Sequence, residues 1–391
     1  MALRILQVHN RYQQRGGEDS VVLSERKLLT EHGFTVELME ADNEGIHGLR
    51  GKLEAAGSVF YNFSAVSRLR ETLQRFKPGL VHVHNWFPSL SPGIFRACRV
   101  AKIPVVHTLH NYRLLCSKAV LFRDGAVCEQ CMNTTLRLPG IRHGCYQGSR
   151  AGTAIATAAM LSHWRLGTWS DCIDRFIVLT EFAKRKMIEG GLPAEKLVVK
   201  PNFLDFEPDM GTGDGNYFIF VGRLSEEKGI LMLLDAWRSA PHLPTLKIVG
   251  TGPQDALVKA AAGSMQNVEL LGTKNPGEVL EMIGKAKALI CPSQSYEGMP
   301  RVIIEAFAVG TPVIASRIGG YPEMIKEPDF GFLFDAGKSV EIVRCVERIN
   351  ASNRPGEMRR QARLQFEKFY TGTINVQILS DIYRGAMDNK P

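Results

Sequence analysis

The sequence lacks any hydrophobic run long enough to cross a membrane. Its uncharged segment AGTAIATAAMLSHW, at 151–164, is shorter than the roughly 20 apolar residues that a membrane-spanning helix needs. The opening MALRILQVHNRY has neither the apolar core nor the small-residue cleavage site of a signal peptide. We therefore expect a cytoplasmic protein, attached at most peripherally to the inner face of the cytoplasmic membrane.

Two common phosphate-binding motifs are also missing. The chain contains no G-x-x-x-x-G-K-[ST] and no G-x-G-x-x-G, which excludes an ordinary P-loop and the dinucleotide fingerprint. It has no fixed-period repeat. With 45% hydrophobic and 23% charged residues, the composition is that of a globular enzyme. The 391 residues suggest two domains, at about 100–200 residues each.

Acidic residues are scarce in the first half of the chain. Residues 1–205 contain 27 Lys and Arg against 18 Asp and Glu, whereas the remainder contains 21 against 22. A basic surface attracts phosphates, nucleic acids or anionic lipids, although a solvated surface explains charge alone more simply. No aromatic and basic recognition motif accompanies the charge, so we expect no nucleic-acid partner.

Short apolar runs rich in Val and Ile alternate with segments of helical length, which predicts parallel sheets wrapped by helices. The predicted strands before residue 200 are 3–8, 34–39, 80–84, 103–109 and 175–180. After a Gly-, Pro- and Asp-rich linker at 198–216 the pattern resumes, with predicted strands at 217–222, 245–250, 267–272, 287–292 and 311–316. Terminal helices are predicted at 354–368 and 373–388.

This pattern predicts two Rossmann-like α/β domains facing each other across a cleft, where a ligand binds at the carboxyl ends of the strands. We expect an N-terminal domain at 1–205, with a cysteine-rich insert at 111–150, and a C-terminal domain at 206–375. The last segment, 376–391, is predicted to be a helix that packs back on the N-terminal domain.

The stretch FVGRLSEEKGI, at 220–230, places two cations after a predicted strand. Arg223 offers a fork of donors and Lys228 a point charge, and both lie near a predicted helix start, which suits a diphosphate. The alternative is a pair of surface cations bound to Glu226 and Glu227.

The stretch SYEGMPRVIIEAFAVGTPVIAS, at 295–316, keeps two acids, Glu297 and Glu305, in an apolar environment. A carboxylate accepts hydrogen bonds from two neighbouring hydroxyls, so the two acids could hold a sugar and a ribose. The alternative is a helix N-terminal acid and an accidental buried acid. Burying an unpaired carboxylate is costly, so Glu305 needs a partner or a ligand.

Taken together, VGRLSEEKG and EGMPRVIIEAFAVGTPVIAS resemble the retaining GT-B glycosyltransferases of group 1, family 4, in which an E-x7-E pair is a hallmark. GGED, VHVHN, TLHNYR, FIVLTEFAKR, VGTGP and IGGYPEMI also fall where that family has its blocks. The resemblance covers essentially the whole chain. It implies transfer of a sugar from a nucleotide sugar, with retention at the anomeric carbon. It also implies that the domain at 1–205 is the acceptor-binding domain and the domain at 206–375 the nucleotide-sugar-binding domain. One departure is Phe203, where the family often has glycine after the linker asparagine.

The resemblance also implies a role for each matching residue. Arg223 and Lys228 resemble the diphosphate ligands, and Glu305 resembles the acid that binds the ribose. Glu297 resembles the acid that meets the donor sugar. The other implied site residues are Gly16 and Gly17 beside phosphate, His110 near the transferred sugar, the backbone of Gly298, Met299 and Pro300 beside the sugar, and Glu323 as a supporting acid.

No Asp-x-Asp motif is present, so no catalytic metal is expected, and the departing diphosphate would be stabilised by Arg223, Lys228 and helix N–H groups. The resemblance implies a UDP- or GDP-sugar donor and front-face attack by a hydroxyl of a glycan or lipid-diphosphate-linked acceptor. The alternatives are a nucleotide-sugar epimerase or hydrolase, glycosylation of a small molecule, and a catalytically silent scaffold that binds a nucleotide sugar or a metal.

Four of the eight cysteines, Cys116, Cys128, Cys131 and Cys145, lie within thirty residues in the spacing C-x11-C-x2-C-x13-C. The C-x2-C pair beside a turn favours a structural zinc site. Ordinary reduced cysteines and an iron–sulfur centre remain alternatives. Cys98, Cys172, Cys291 and Cys345 are predicted to be core residues.

A basic segment at 61–79 contains Arg68, Arg70, Arg75 and Lys77 against one acid, Glu71. Three aromatic residues, Phe60, Tyr61 and Phe63, precede these cations. This composition suits a helix lying on an anionic membrane surface. An ordinary solvated helix face is the alternative.

Overall fold

Parallel strands separated by helices run through almost the whole chain in the computed structural model, which describes residues 3–11, 16–41, 57–132 and 134–388. In chain order the strands are β1 Arg4–Asn10, β2 Thr35–Ala41, β3 Leu80–Asn85, β4 Val105–Thr108, β5 Phe122–Arg123, β6 Ala126–Val127, β7 Arg175–Val178, β8 Leu197–Val199, β9 Tyr217–Val221, β10 Thr245–Val249, β11 Val268–Gly272, β12 Leu289–Cys291, β13 Val313–Ser316 and β14 Gly331–Phe334.

The α-helices are α1 Gly17–Glu31, α2 Phe63–Phe76, α3 Gly93–Val100, α4 Leu138–Arg142, α5 Arg150–Arg165, α6 Thr168–Asp171, α7 Glu181–Glu189, α8 Ile230–Ser239, α9 Asp255–Ala262, α10 Pro276–Lys285, α11 Arg301–Ala308, α12 Tyr321–Met324, α13 Ser339–Asn350, α14 Pro355–Phe369 and α15 Gly372–Asp388. Single 3₁₀ turns occur at Ala194–Lys196 and Glu226–Lys228.

The chain divides into two compact units. The first contains Met1–Leu121, Cys128–Pro201 and Gly372–Pro391, and the second contains Phe122–Val127 and Asn202–Thr371. Residues 389–391 of the predicted C-terminal segment lie outside the described residues. Helix α15 belongs to the first unit, together with strands β1 to β4. The Tyr383 hydroxyl on this helix lies 2.8 Å from Nδ1 of His82 on β3.

The first unit contains a six-stranded sheet in the order β2-β1-β3-β4-β7-β8, in which every adjacent pair is parallel. Strands covered by helices on both faces are buried along their length, and all six residues of β3 are buried, including the polar His82, His84 and Asn85. The sheet order reverses between β1 and β3. Polar side chains such as those of Asn10 and Asn85 end these two strands, so the sheet places them at one carboxyl edge.

The second unit contains a six-stranded parallel sheet in the order β11-β10-β9-β12-β13-β14. A single core cluster joins this sheet to α8, α13 and α14, with Trp237, Ile290 and Ile342 fully buried. The order reverses between β9 and β12. In such sheets, ligands bind outside the carboxyl ends of the strands at the reversal.

Two tandem α/β units confirm the predicted fold class. The predicted core cysteines, Cys98, Cys172, Cys291 and Cys345, are all buried. Strands β8 and β14 were not predicted, because runs of three or four apolar residues are too short for periodicity to identify. The unpredicted hairpin β5–β6 turns at Asp124 and Gly125, both with positive φ, as an Asp-Gly hairpin turn requires.

Candidate active site

The two loops that follow β9 and β12 carry the predicted donor residues of the second unit. Arg223 and Lys228 come after β9, and Glu297 comes after β12. These strands are the neighbours between which the sheet order reverses. The topology therefore brings together residues that are about 70 positions apart in the sequence, at the edge where an α/β sheet binds its ligand.

Lys228 and Glu297 form an ion pair, with Nζ 2.6 Å from Oε1, and their side chains are 29% and 15% exposed. Burial alone would lower the pKa of the Lys228 ammonium, but the charge and hydrogen bond of Glu297 outweigh burial and raise it. Lys228 is therefore charged at neutral pH. A partly exposed cation at a sheet reversal can stabilise an anionic ligand.

Two hydroxyls that the sequence analysis did not identify form a hydrogen-bond chain to the Glu297 carboxylate. The Ser293 hydroxyl donates to Oε1 of Glu297 over 3.0 Å and lies 3.0 Å from the buried Tyr321 hydroxyl. Gly319 has φ +60°, and a Cβ there would lie 2.9 Å from the Glu297 nitrogen, so only glycine allows this close approach. Glu323 lies exposed on α12.

The alternative pairing of Arg223 and Lys228 with Glu226 and Glu227 is not what the structure contains. Lys228 pairs with Glu297, while Glu227 accepts a hydrogen bond from the Ser225 hydroxyl over 2.6 Å. Arg223 is exposed, and no acid pairs with it among the described residues. Its guanidinium is therefore available to an anion.

Glu305 lies in the first turns of α11 and is half-buried. Burial raises the pKa of its carboxyl, and the charge of Arg301 lowers it only in part. Within the described chain its carboxylate has no hydrogen-bond or ion-pair partner. Because even partial burial of a carboxylate without a partner costs free energy, its retention favours a ligand that supplies hydroxyl donors.

The loop Gly298–Pro300 is fixed by an asparagine that sequence reasoning assigned only to the linker. The side-chain amide of Asn202 donates to the Met299 carbonyl over 2.8 Å, and its backbone N–H lies 3.2 Å from the Met299 sulfur. The next residue, Phe203, is 1% exposed. The departure from glycine at this position is therefore accommodated by burying the aromatic ring.

In the first unit, His110 follows β4 at the carboxyl edge of the sheet. Its Nε2 lies 3.2 Å from Nδ1 of His84 on β3. Burial lowers the pKa of both imidazoles well below the ordinary value, with neighbouring cationic groups adding to the effect. Both rings are therefore neutral at physiological pH. They border a cavity of about 20 Å³, room for one water molecule, which is also lined by Asn85, Trp86, Asn111 and Arg113.

Gly16 and Gly17 lie at the start of α1, where the carboxylate of Asp19 organises the backbone. The Gly16 N–H donates to Oδ2 of Asp19 over 2.7 Å. The other carboxylate oxygen lies 2.9 Å from Nε2 of His9. A Cβ on either glycine would meet no described atom within 4 Å. Because neither position carries a side chain, the backbone N–H groups at this helix N-terminus can approach an anion closely.

A second polar cluster lies beneath the edge of this sheet and contains Glu25, His82, His84 and Lys200, each at most 2% exposed. Among the described residues, Glu25, His82 and His84 are the set whose ligand atoms all lie within 4.8 Å of one another, the spacing that a metal ion needs. However, Lys200 Nζ lies 2.8 Å from the Glu25 carboxylate. This ammonium opposes a second cation, so the cluster does not fit a metal.

The four cysteines of the predicted zinc site are brought near one another. Burial raises the pKa of the Cys131 thiol, and Cys116, Cys145 and Cys128 raise it further. The described cysteines do not, however, place three sulfur atoms within 4.8 Å of one another. Tetrahedral zinc would need sulfur atoms about 3.8 Å apart, so binding would require them to move closer.

Comparison with known families matches both halves of the chain. Residues 2–202 match the family described as glycosyl transferase 4-like domain. Residues 207–365 match the family described as glycosyl transferases group 1. The two matches meet at the boundary between the two compact units.

Three curated relatives carry glycosyltransferase names. An uncharacterized glycosyltransferase of Methanocaldococcus jannaschii is 30% identical over 45% of this chain and 50% of its own length. A sulfoquinovosyl transferase of Arabidopsis thaliana is 24% identical over 82% and 59%. A phosphatidyl-myo-inositol mannosyltransferase of Mycobacterium leprae is 26% identical over 46% and 51%. The chain thus spans between half and three fifths of the length of these relatives.

Two solved structures have the same fold. The Anabaena protein HepE, in complex with UDP-glucose, has a TM-score of 0.67 at 18% identity, covering 98% of this chain and all of that one. Sucrose-phosphate synthase from Thermosynechococcus elongatus has a TM-score of 0.73 at 17% identity, covering 98% of each chain. The fold is therefore GT-B.

Proposed function

Because the chain belongs to the group 1, family 4 glycosyltransferases, we propose that it moves a sugar from a nucleoside-diphosphate sugar to a hydroxyl of a glycan or lipid-linked acceptor. The observation that carries this proposal is the Lys228–Glu297 pair at the sheet reversal, with the exposed Arg223 on the same loop as Lys228 and the partnerless carboxylate of Glu305 nearby in sequence. Cations suit a diphosphate, and acids suit sugar hydroxyls. The HepE structure, whose ligand is UDP-glucose, supports a UDP-sugar donor.

In this proposal Arg223 and Lys228 bind the diphosphate and stabilise the charge that develops on it as the sugar leaves. Glu297 binds the donor sugar, with the backbone of Gly298, Met299 and Pro300 beside it. The remaining assignments are Glu305 on the ribose, Gly16 and Gly17 beside phosphate, and His110 beside the transferred sugar. The acceptor hydroxyl attacks from the face that the diphosphate leaves, and a phosphate oxygen takes its proton, so the anomeric configuration is retained.

The stereochemical part of the proposal is tested by NMR of the product. Retention gives a new glycosidic bond that has the same anomeric configuration as the donor sugar. The opposite configuration would overturn the front-face mechanism while leaving the transferase assignment in place. Hydrolysis of the donor without transfer to any glycan or lipid-linked acceptor would favour the hydrolase alternative.

We propose that α2 gives the protein affinity for an anionic membrane surface. Arg68 and Arg70 are exposed on α2, and the Phe63 side chain at its start is 79% exposed. Arg75, in contrast, is paired with Glu37. Basic residues beside exposed aromatic rings suit anionic headgroups. Among the described helices, none combines the length and apolarity that would let it span a bilayer.

Sedimentation with vesicles tests this surface. Wild-type protein should bind phosphatidylserine vesicles at low salt and be released at high salt, because the attraction is screened. Reversing Arg68 and Arg70 to Glu should weaken binding at least about 10-fold, since each base near the surface contributes about 1 kcal/mol. The matched control reverses Lys259 and Arg344, two exposed cations of the second unit. Equal binding by both double variants would contradict the assignment to α2.

We further propose that Cys116, Cys128, Cys131 and Cys145 hold a structural zinc ion. The support comes from Arg137, which is 8% exposed. Burial lowers the pKa of its guanidinium, and the ionisable groups of the described chain that oppose this shift are the thiols of Cys131 and Cys116. A buried cation is costly without a counter-charge, and thiolates bound to zinc would supply one.

Metal analysis of protein produced in zinc-supplemented medium tests this site. We expect about one zinc per chain, the stoichiometry of a four-thiolate structural site, and loss of that zinc in Cys131→Ser. Cys345→Ala, which removes a buried cysteine of the second unit, should retain it. Wild-type protein with no more zinc than Cys131→Ser would contradict the proposal.

A further inference from the structure

We propose that Glu25, Lys200 and His84 act as positioning residues for His110, forming a relay that leaves Nδ1 of His110 as an unprotonated hydrogen-bond acceptor. The catalytic meaning of this relay rests on the function proposed above, because it is there that His110 meets the transferred sugar. The protonation pattern itself does not depend on that function.

The relay is a continuous line of contacts across three strands and a helix. Lys200, just after β8, places Nζ 2.8 Å from Oε1 of Glu25 on α1. The other oxygen of Glu25 lies 3.4 Å from Nε2 of His84 on β3. His84 Nδ1 in turn lies 3.2 Å from Nε2 of His110. Glu25 and Lys200 are 175 positions apart in the sequence, so only the fold brings them together.

Two atoms of the relay lack a hydrogen bond. Oε2 of Glu25 and Nε2 of His84 are both buried and have no hydrogen bond within the described chain. They face each other across the 3.4 Å contact. Oε2 of Glu25 also lies 3.8 Å from Nδ1 of His82, but that nitrogen is already engaged by the Tyr383 hydroxyl at 2.8 Å. A buried polar atom left unpaired costs free energy. If Oε2 of Glu25 and Nε2 of His84 move slightly closer, each supplies the other's missing hydrogen bond.

This pairing determines every proton position along the line. The Glu25 carboxylate, ion-paired with Lys200, can only accept, so Nε2 of His84 must carry a proton. Neutral His84 then has an unprotonated Nδ1, which accepts from Nε2–H of His110. Neutral His110 is consequently unprotonated at Nδ1. A sugar or acceptor hydroxyl can donate a hydrogen bond to that atom.

The surrounding groups keep both rings neutral. After burial, which is the largest effect, the pKa of His110 is lowered by His9, Lys200, His82 and His107. His9 is bonded to Asp19, His82 to Tyr383 and Thr108, and His107 Nδ1 lies 2.9 Å from the Val83 carbonyl. The nearby rings are therefore fixed by their own partners. Protonating His110 would place a cation among them.

The relay is more than an aid to folding. A buried ion pair commonly stabilises a protein no better than apolar residues of similar volume. Glu25 and Lys200 are 0% and 1% exposed, in a sheet that is otherwise well supplied with apolar side chains. A carboxylate can fix the tautomer of a histidine by accepting its N–H hydrogen bond, and an apolar residue in its place could not.

The test is histidine-selective ¹⁵N NMR of the full chain, with His110→Gln used to assign the resonances. In wild-type protein we expect His110 to be neutral, protonated at Nε2 and unprotonated at Nδ1, from about pH 6 to about pH 8. Because Glu25→Gln leaves Lys200 buried without its partner, the double variant Glu25→Gln, Lys200→Met, which removes both charges, is measured beside it. In both we expect a mixture of His110 tautomers.

Kinetics complete the test. In the double variant we expect kcat to fall by about 10- to 100-fold, the usual effect of removing a residue that orients a functional group, with the donor KM changed less than about 2-fold. The control is Asp174→Asn, the same acid-to-amide change at a carboxylate that accepts from the Val105 N–H over 2.7 Å. Its His110 tautomer and kcat should match wild type.

Two outcomes would overturn the proposal. One is a wild-type His110 protonated at Nδ1, and the other is a tautomer that stays fixed when Glu25 and Lys200 are both replaced. A fixed Nδ1 acceptor in a protein that transfers no sugar would support the relay while rejecting the proposed function. The two failures are thereby distinguishable.

Discussion

Replacing Lys228 with methionine should lower nucleoside-diphosphate release from the donor by about 100- to 1,000-fold, the usual effect of removing one preorganised charge-stabilising donor. The ammonium lies at the sheet reversal, 2.6 Å from Glu297. Glu297 keeps the pKa of Lys228 above its ordinary value of 10.5 despite burial. The charge of Lys228 is therefore fully present below pH 10.5 and is lost only as the pH rises through the raised pKa, so the defect should be constant across neutral pH.

The matched control is Lys285→Met. Lys285 also forms a 2.6 Å pair with a glutamate, Glu281, but both side chains are about half exposed or more. Exposed pairs contribute little, and this one lies on α10. Release by Lys285→Met should equal that of wild type. Stopped-flow or coupled-enzyme measurement of the released nucleoside diphosphate distinguishes Lys228→Met from Lys285→Met. A loss of less than about 3-fold in a folded Lys228→Met protein would reject the role given to Lys228, because removing such a donor is expected to cost far more.

Glu305→Gln should stabilise the protein while weakening donor binding. The folded-state pKa of Glu305 is raised by burial, so its contribution to stability is present below the ordinary value of 4.5 and lost as the pH rises through the raised pKa. At neutral pH the ionised carboxylate is a burden of about 1 kcal/mol. Removing the charge should raise Tm by about 2–4 °C. Below pH 4.5 the gain should disappear, because wild type is then protonated.

Donor affinity should change in the opposite direction. A carboxylate accepts from two vicinal hydroxyls, and charged acceptors form hydrogen bonds about twice as strong as neutral ones. An amide that replaces it should weaken nucleotide binding about 10- to 100-fold, measured by calorimetry. Glu269→Gln, an exposed change on β11, should alter neither quantity. A lower Tm with unchanged affinity would mean that Glu305 has a structural role instead.

Much of this account was available from the sequence, because it depends on local patterns. Apolar runs at regular spacing fix the strands, and the strands fix which edge of each sheet carries the polar loops. The loops that carry Arg223, Lys228 and Glu297 were located in this way, whereas the roles predicted for these residues came from the resemblance to the group 1, family 4 glycosyltransferases. Their mutual placement required the strand order, since β9 and β12 are adjacent in the sheet but not in the chain.

The supporting groups could not be predicted, because they depend on tertiary contacts between distant segments. Nothing near Glu25 in the sequence indicates that Lys200 neutralises it. Asn202 lies in a linker, yet it fixes the Met299 carbonyl. Nothing in the sequence indicates that Ser293 donates a hydrogen bond to Glu297 or that Tyr321 contacts Ser293. Buried polar residues are the places where local patterns are least informative, since their partners determine their role.

The central claim is that the chain cleaves a nucleotide sugar and transfers the sugar. The most direct measurement is nucleoside-diphosphate release from a panel of UDP-, GDP- and ADP-sugars, comparing wild type with Arg223→Ala and Glu305→Ala. The account predicts release from one nucleotide class, lost in both variants while each remains folded. Absence of release from every donor, with no donor-induced rise in Tm, would contradict the account and favour a catalytically silent scaffold.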